Sequence, residues 1–230
     1  MYIEGGFIVE NGKPKVIVYT ALFGNYDSVK EPLFIDENID YILFTDNGGI
    51  QSDNWKTKIL EIQNLSSRKM SRIPKILPHK FLPSHDISIY LDASFQLQTQ
   101  HIHRMITDCL EGHEIALYKH HCRNCTYEEI EICKQIGFES PTIADRVRKK
   151  YLKECFPNNW GLFENGFILR KNTENINKLN KMWFIEYISG SERDQFSLMY
   201  CLWKLGITAN SIKMGKDIYN NPYLKWYNHL

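Results

Sequence analysis

The stretch Ile87-Ser88-Ile89-Tyr90-Leu91-Asp92-Ala93-Ser94-Phe95-Gln96-Leu97 decides how the remainder of the chain can be arranged. Its first five residues are mostly β-branched, aliphatic or aromatic, which is typical of a strand buried on both faces. The strand leads directly into Asp92, and a carboxylate at the end of a buried strand needs a partner. Ligands bind at the carboxyl ends of strands in open α/β sheets, and Asp92 and Ser94 place two oxygen side chains there. Their spacing suits a hard divalent cation shared with a phosphorylated substrate, and a strand-end cap or Asx turn is the alternative.

Length and composition indicate a chain with a sizeable core. The 230 residues are 43% hydrophobic and 13% aromatic, which suits one large α/β domain. The formal net charge is +1, from 28 basic and 27 acidic residues. Nucleic-acid binding needs a marked basic excess or patch. We therefore predict no nucleic-acid partner, and expect any recognition of phosphate to be local.

Cysteine usage and hydropathy bear on the cellular compartment. The 6 cysteines follow no regular spacing, so reduced thiols are expected rather than a disulfide framework. No basic segment followed by an apolar run marks a signal peptide, and no stretch approaches the roughly 18 apolar residues of a membrane span. These features predict a cytoplasmic protein. Peripheral association with the inner face of a membrane, through basic and aromatic surface, stays open.

Two further buried strands are predicted, over residues 15–20 and 40–46. The first leads into a loop whose small and Asx residues allow the backbone to approach a ligand closely, namely Ala21, Gly24, Asn25 and Asp27. The second ends at Asp46, before the chain-breaking Asn47-Gly48-Gly49. Strands followed by crossovers predict a mostly parallel α/β sheet. The first loop matches neither GxGxxG nor a P-loop, so a dinucleotide site is not expected.

A basic stretch over residues 66–83 precedes the Asp92 strand. Pro74 and Pro78 predict short helical turns rather than a long helix. A crossover would return the stretch to the sheet edge that carries Asp92, where Arg72 and Lys75 could bind a diphosphate. A solvated basic face is the alternative.

Two later segments carry reactive side chains. The loop at residues 119–125 lies between a predicted strand and a helix, where binding groups are expected. A zinc site there is an alternative, using His120 or His121 with Cys122, Cys125 and Cys133. Capping boxes are predicted for Thr126 with Glu129 and for Ser191 with Asp194. In the strand region predicted over residues 162–170, Glu164-Asn165-Gly166 forms a polar interruption that indicates a turn, a bulge or a ligand contact.

Taken together, these pieces resemble a glycosyltransferase-like family of formerly unknown function, which includes plant mucilage-associated and bacterial capsule-locus proteins. The resemblance runs from about residue 15 to residue 205 and is carried by an ordered set of motifs: Thr20-Ala21-Leu22-Phe23-Gly24-Asn25-Tyr26-Asp27, Phe44-Thr45-Asp46, Arg72 with Lys75 and Pro78-His79, Leu91-Asp92-Ala93-Ser94-Phe95-Gln96-Leu97, His120 with Arg123, Cys125 and Tyr127-Glu128, and Arg193-Asp194-Gln195. It implies a GT-A-type, Rossmann-like single domain with a mostly parallel sheet flanked by helices and a small antiparallel portion.

The resemblance also implies a donor site that binds a nucleotide sugar, expected to be UDP-linked. The residues that would hold the nucleoside are Thr20, Ala21, Tyr26, Asp27 and Asp46, and those near the diphosphate are Arg72, Lys75 and Asp92. Asp92 and Ser94 occupy the DxD position of the family, where Mn²⁺ or Mg²⁺ is expected. Ser94 departs from a strict DxD because its side chain is neutral. His229 is the candidate for a further metal ligand.

The acceptor would be a glycan or a lipid-linked intermediate, bound by His120, Arg123, Glu128 and Glu164. Asp194, with Arg193 beside it, would serve as the base of an inverting transfer. On this interpretation residues 1–230 form one domain, with a nucleotide-binding half at about 15–97 and an acceptor half at about 98–230. Two alternatives stay open: a hydrolase acting on a nucleotide sugar or phosphodiester, and a non-catalytic, zinc-stabilised binding module.

Overall fold

The computed structural model describes residues 2–4, 7–9, 13–24, 27–61 and 64–228. This part of the chain contains a sheet of seven strands in the order β10-β8-β9-β6-β3-β4-β5. Their bounds are β3 Val16–Leu22, β4 Asp40–Thr45, β5 Lys56–Ile59, β6 Ile87–Leu91, β8 Ile115–Lys119, β9 Phe163–Lys171 and β10 Asn210–Ser211. Short strands β1 Tyr2–Glu4 and β2 Phe7–Val9 pair antiparallel, as do β7 Phe95–Leu97 and β11 Leu224–Trp226.

The sheet is mostly parallel because long crossovers join its strands. β3 runs parallel to β4 and β6, and β4 runs parallel to β5. The exception is β9, which lies antiparallel between β6 and β8. The predicted α/β class, with a mostly parallel sheet and a small antiparallel portion, is therefore confirmed.

Helices cover both faces of this sheet. Their bounds are α1 Ser67–Ile76, α2 Pro78–Phe81, α3 Ile102–Leu110, α4 Thr126–Gln135, α5 Pro141–Lys153, α6 Glu174–Ser189 and α7 Asp194–Leu205. Two hydrophobic clusters result, one containing Tyr19 and Tyr90 with α1, α6 and α7, the other containing Val18 and Leu91 with α3. Alternate residues of β3 and β6 thus face opposite clusters, as strand geometry requires. Within the described residues, no helix is both long and apolar enough to cross a membrane.

Three local predictions were wrong. The basic stretch forms a ten-residue helix, α1, that continues through Pro74 and ends two residues later. A proline disturbs the turn before it, but residues 73–76 are buried, and this packing outweighs that cost. Thr126 is the first residue of α4 rather than its cap, and Glu129 pairs with Arg123 instead of closing a capping box. The N-cap of α7 is Arg193, without a side-chain capping bond, and this leaves the Asp194 carboxylate for other partners.

Candidate active site

A cavity of about 570 Å³ opens at the carboxyl end of β6. Helix α1 borders it on the side of the first hydrophobic cluster, and the β7–β11 pair borders it on the side of the second. The remaining walls come from the start of α7 and from β9. Among the residues predicted as site residues, those that line the cavity are Arg72, Lys75, Asp92, Ser94, Glu164, Arg193 and Asp194. The structure therefore brings together residues that lie up to 122 positions apart (72 to 194) in the sequence.

Four of these residues form a charge cluster of two cations and two carboxylates: Arg72, Lys75, Asp92 and Asp194. The Lys75 ammonium lies 2.7 Å from Asp194 Oδ2 and 3.5 Å from Asp92 Oδ1. Arg72 lies 3.6 Å from Asp194 Oδ2 and 4.0 Å from Asp92 Oδ1. The Tyr90 hydroxyl donates a 2.6 Å hydrogen bond to Asp92 Oδ1. Helix α1, which contains Pro74, thus presents both cations, and these are the partners that the strand-end carboxylate of Asp92 requires.

Burial and charge set the ionisation of this cluster. The side chain of Lys75 is 1% exposed, and burial lowers the pKa of its ammonium against the opposing effect of Asp194 and Asp92. Burial alone would raise the pKa of Asp194, but Lys75 and Arg72 outweigh it and lower that pKa to about 2. The same two cations lower the pKa of Asp92 against the effect of its burial. Both carboxylates are therefore ionised at neutral pH.

Arg170 fixes the helix that carries the two cations. Its side chain is 1% exposed, and no carboxylate pairs with it in the described part of the chain. It donates to the Lys75 carbonyl, to the Tyr19 hydroxyl at 2.5 Å and to Asn180 Oδ1 at 2.8 Å. The Tyr19 hydroxyl in turn donates to the Lys75 carbonyl at 3.1 Å. The carbonyl end of a helix carries partial negative charge, so a buried guanidinium there is favourable. Arg170 thereby holds the last turn of α1 against β9.

A bulge in β9 shapes the floor of the cavity. The β8–β9 register shifts so that Leu117 pairs with Ile168 and Tyr118 pairs with Glu164, which leaves residues 165–167 without partners on β8. The polar interruption predicted from the sequence is therefore a bulge that lines the cavity. A Cβ added at Gly166 would lie 2.8 Å from the Phe95 ring and 3.5 Å from Asp92 Oδ2. Only glycine leaves this space open.

The predicted nucleoside residues that the structure describes lie in β3 or just after β3 and β4, outside the residues that line the cavity. Asp46 accepts hydrogen bonds from the Gly24 backbone N–H at 3.1 and 3.2 Å, which joins the two strand ends. Thr20 and Ala21 are buried within β3. Asp27 is buried and bonds to the Ser28 N–H and to Lys30. Tyr26 lies outside the described residues.

Of the four predicted acceptor residues, one lines the cavity and three do not. Glu164 lines the cavity, and its Oε1 lies 2.8 Å from His121 Nδ1 and 3.6 Å from His120 Nε2. His120 and Arg123 lie behind it in a network with the buried Glu129. Burial lowers the pKa of His120 despite the neighbouring carboxylates. Glu128 is exposed on α4 and does not line the cavity.

The zinc alternative has only part of its proposed ligand set. His120, His121 and Cys122 can bring one ligand atom each within 4.8 Å of one another, while Cys125 and Cys133 are not part of that group. His120 Nδ1 already accepts from the backbone N–H groups of Cys122 and Arg123.

The metal prediction concerns Asp92, Ser94 and His229. Asp92 Oδ2 makes no hydrogen bond within the part of the chain that is described, and its side chain is 26% exposed to the cavity. Ser94 lines the same cavity, and carboxylate and hydroxyl oxygens are ligands that suit a hard cation such as Mn²⁺ or Mg²⁺. His229 lies outside the described residues.

Several residues in or around the cavity were not among the predicted site residues. Asn165 is 3% exposed, and both polar atoms of its side chain are without a partner among the residues described. Tyr219 and Trp226 form part of the cavity rim, and Arg170 and Tyr90 support the charge cluster. The aromatic-rich composition of the C-terminal segment is the one sequence signal that could have singled out Tyr219 and Trp226.

Comparisons with known proteins agree with the predicted class. The family model described as TOD1/MUCI70, glycosyltransferase-like domain, matches residues 7–229. The probable hexosyltransferase MUCI70 of Arabidopsis thaliana is 24% identical over 226 residues, which cover 85% of this chain and 38% of the plant protein. The chain thus spans about two fifths of the curated relative that it matches. The apo structure of the bifunctional glycosyltransferase WbbM is similar over 90% of this chain and 40% of that one, with a TM-score of 0.46 and 12% identity. Because the family model covers nearly all of the sequence, the chain belongs to the TOD1/MUCI70 glycosyltransferase-like domain family.

Proposed function

We propose that this domain transfers a hexosyl group from a nucleotide-sugar donor, UDP-linked in the first instance, to a hydroxyl group of a glycan or lipid-linked acceptor. The observation that carries the proposal is the charge cluster of Arg72, Lys75, Asp92 and Asp194 in the cavity of a glycosyltransferase-like domain. The cavity of about 570 Å³ is large enough for a compact polar ligand.

Lys75 and Arg72 have the chemistry to stabilise the leaving group. Sugar transfer from a nucleotide donor places negative charge on the departing diphosphate, and cations fixed beforehand stabilise that charge without reorganising. Lys75 is held by the Arg170 contacts of α1 and by two carboxylates, so its position is set before a ligand enters.

The cavity residues Asp92 and Ser94 fit a divalent cation. Asp92 and Ser94 would hold it, with His229 as a further candidate, and Mn²⁺ or Mg²⁺ would supply additional positive charge to the diphosphate. The Lys75 ammonium near Asp92 Oδ1 leaves Oδ2 as the carboxylate oxygen for that ion.

Asp194 is our candidate for the base in an inverting transfer. With its pKa near 2, it is a weak base while Lys75 and Arg72 are bound to it. A diphosphate bound to the two cations would offset their charge where they stand and add negative charge nearby, and both effects raise the pKa of Asp194. We propose that donor binding in this way prepares Asp194 to accept the proton of the acceptor hydroxyl.

Product analysis with a panel of UDP-hexoses tests this function. Purified protein with Mn²⁺ is incubated with each donor, and both free UDP and glycosylated products are measured, with and without added glycan extract. Asp194→Asn should remove most of the turnover and leave UDP binding nearly intact. Equal loss of turnover and UDP binding would refute the assignment of the base. Donor consumption that no acceptor changes would instead support a hydrolase.

A further inference from the structure

The cavity has an aromatic wall, formed by Phe95, Tyr219 and Trp226, that the donor chemistry does not use. Tyr219 is 44% exposed and Trp226 is 40% exposed, although both are large rings at a cavity. Their ring centroids lie 5.6 Å apart at an interplanar angle of 86°, and Phe95 lies 6.0 Å from Tyr219. His121 also meets Tyr219 edge to face, at 5.4 Å and 87°, so the exposed fraction of each ring is the surface that remains for a ligand. Exposed aromatic surface at the mouth of a cavity indicates a binding site.

Backbone hydrogen bonds fix the segments that carry the aromatic wall. Trp226 lies opposite Phe95 in the β7–β11 pair, and the next backbone N–H, from Tyr227, donates to the Ser94 carbonyl at 2.9 Å. Asp217 Oδ1 accepts from the Tyr219 N–H at 2.9 Å. The rings are therefore presented by ordered backbone next to the Asp92–Ser94 turn, and a ligand does not have to order them first.

Polar groups border the aromatic wall on the side of β9. Glu164 and Asn165 line the same cavity, and Asn165 is the buried amide without partners described above. A carboxylate and an unsatisfied amide supply hydrogen-bond acceptors and a donor beside a flat apolar surface. A pyranose ring has the matching chemistry, because one of its faces presents C–H groups and its edge presents hydroxyls.

Local charge favours an uncharged sugar over an acidic one. Burial, and then the carboxylates of Glu164, Asp92 and Asp217, raise the pKa of Tyr219 to about 12 against the smaller opposing effect of Arg193. The Tyr219 hydroxyl therefore stays neutral and can bind a ligand hydroxyl. A uronic acid carboxylate at this place would meet the same repulsion.

We propose that Tyr219 and Trp226 form the platform on which an uncharged pyranose ring of the acceptor glycan stacks, with Glu164 and Asn165 bound to its hydroxyls. The proposal rests on the glycosyl transfer proposed above and specifies its acceptor site. It differs from the predicted acceptor set in placing the contact on Tyr219, Trp226 and Asn165. It keeps Glu164 and leaves out His120, Arg123 and the exposed Glu128.

Saturation-transfer NMR tests the platform. The probes are methyl β-glucopyranoside, methyl β-galactopyranoside, methyl α-mannopyranoside and, as the acidic probe, methyl α-galactopyranosiduronate, each measured with and without UDP. The variants are Tyr219→Ala and Trp226→Ala, and Trp160→Ala serves as a matched control because Trp160 is 37% exposed and lies outside the cavity lining. UDP affinity is measured for every variant by calorimetry, and folding by thermal denaturation.

We expect saturation of the ring C–H protons of at least one neutral glycoside, with the weakest signal from the acidic probe. Loss of a stacked ring should reduce sugar affinity about fivefold in Tyr219→Ala and Trp226→Ala, and Trp160→Ala should match the wild type. Tyr219→Phe, which keeps the ring, should retain most of the signal. UDP affinity should stay unchanged in all four variants.

Other outcomes would overturn the platform. These are no saturation of any probe by the wild type, equal saturation in all variants, or a preference for the acidic probe. Loss of UDP affinity in Trp226→Ala would assign the ring to the donor base instead. Failure of the proposed function is a separate result, in which the wild type binds neither UDP, GDP nor CMP. In that case the sugar measurements without nucleotide still support or refute the platform.

Discussion

Replacing Asp194 by asparagine tests the electrostatics of the charge cluster. In the folded protein the pKa of Asp194 falls from 3.8 to about 2, because Lys75 and Arg72 outweigh the effect of burial. A folded pKa below the unfolded one stabilises the protein at pH values above the unfolded pKa, and this contribution is lost as the pH falls through the folded pKa. At about 1.4 kcal/mol per unit of pKa, the ionised carboxylate contributes about 2 kcal/mol at pH 7, of which about half is lost by pH 3.

Urea denaturation of the wild type and of Asp194→Asn at pH 7, 5 and 3 measures this contribution. We expect the variant to be less stable by about 2 kcal/mol at pH 7 and at pH 5, and the difference to shrink by about half at pH 3. Glu192→Gln is the matched control, since Glu192 lies in the same cavity wall but is 34% exposed and pairs with Lys69 at 3.6 Å. An exposed pair of this kind contributes about 0–1 kcal/mol.

The reasoning would be refuted by a difference between wild type and Asp194→Asn that stays constant from pH 7 to pH 3. It would also be refuted by equal effects of Asp194→Asn and Glu192→Gln, because the effect would then not depend on the buried ammonium of Lys75.

Three further substitutions probe other parts of the site. Arg170→Met removes the donor to Asn180 Oδ1 and to the Tyr19 hydroxyl and one of two donors to the Lys75 carbonyl. We expect a loss of about 3 kcal/mol in urea denaturation together with weaker UDP binding in calorimetry; a variant with wild-type stability would contradict the anchoring of α1 by Arg170. Gly166→Ala places a methyl group against Phe95, so we expect a lower melting temperature, from about 1–3 kcal/mol of overpacking, and reduced turnover; unchanged turnover would show that the cavity floor has room. Glu164→Gln removes a negative charge beside His120, and we expect an NMR titration to show a lower pKa for that histidine; an unchanged pKa would contradict their contact.

The strands and the central edge of the site could be predicted from the sequence, because their signals are local. Strand β6 is five buried residues that lead into Asp92, and burial on both faces leaves a recognisable run of apolar side chains. The rule that ligands bind at carboxyl ends of strands then placed the site. Arg72 and Lys75 followed from the crossover that returns α1 to that edge.

The partners of these residues could not be predicted, because they depend on packing between distant segments. Arg170 contacts the Lys75 carbonyl across 95 positions of sequence, and nothing around it distinguishes it from an exposed arginine at the end of a strand. Asp194 matched a capping pattern that is common at helix starts. In the folded chain the buried ammonium of Lys75 is the stronger partner for that carboxylate.

The roles of the bulge and of the aromatic wall could not be predicted from the sequence for a different reason. The polar interruption at Glu164 to Gly166 was visible, but a turn, a bulge and a ligand contact predict the same composition. Tyr219 and Trp226 lie in a segment with little regular structure, where periodicity gives no indication of which side chains face a cavity. The place of Trp226 is set by the pairing of β11 with β7, and that of Tyr219 by a turn in which its N–H donates to Asp217 Oδ1.

Calorimetric titration of UDP into the wild type, Lys75→Met and Asp92→Ala, with and without Mn²⁺, tests the central claim that the charge cluster is a donor site. We expect the wild type to bind UDP more tightly with Mn²⁺, Lys75→Met to lose at least about tenfold in affinity, and Asp92→Ala to lose the response to Mn²⁺. Circular dichroism establishes that each variant is folded. UDP affinity that is the same in folded Lys75→Met as in the wild type would contradict the claim, and so would a wild type that binds neither UDP, GDP nor CMP.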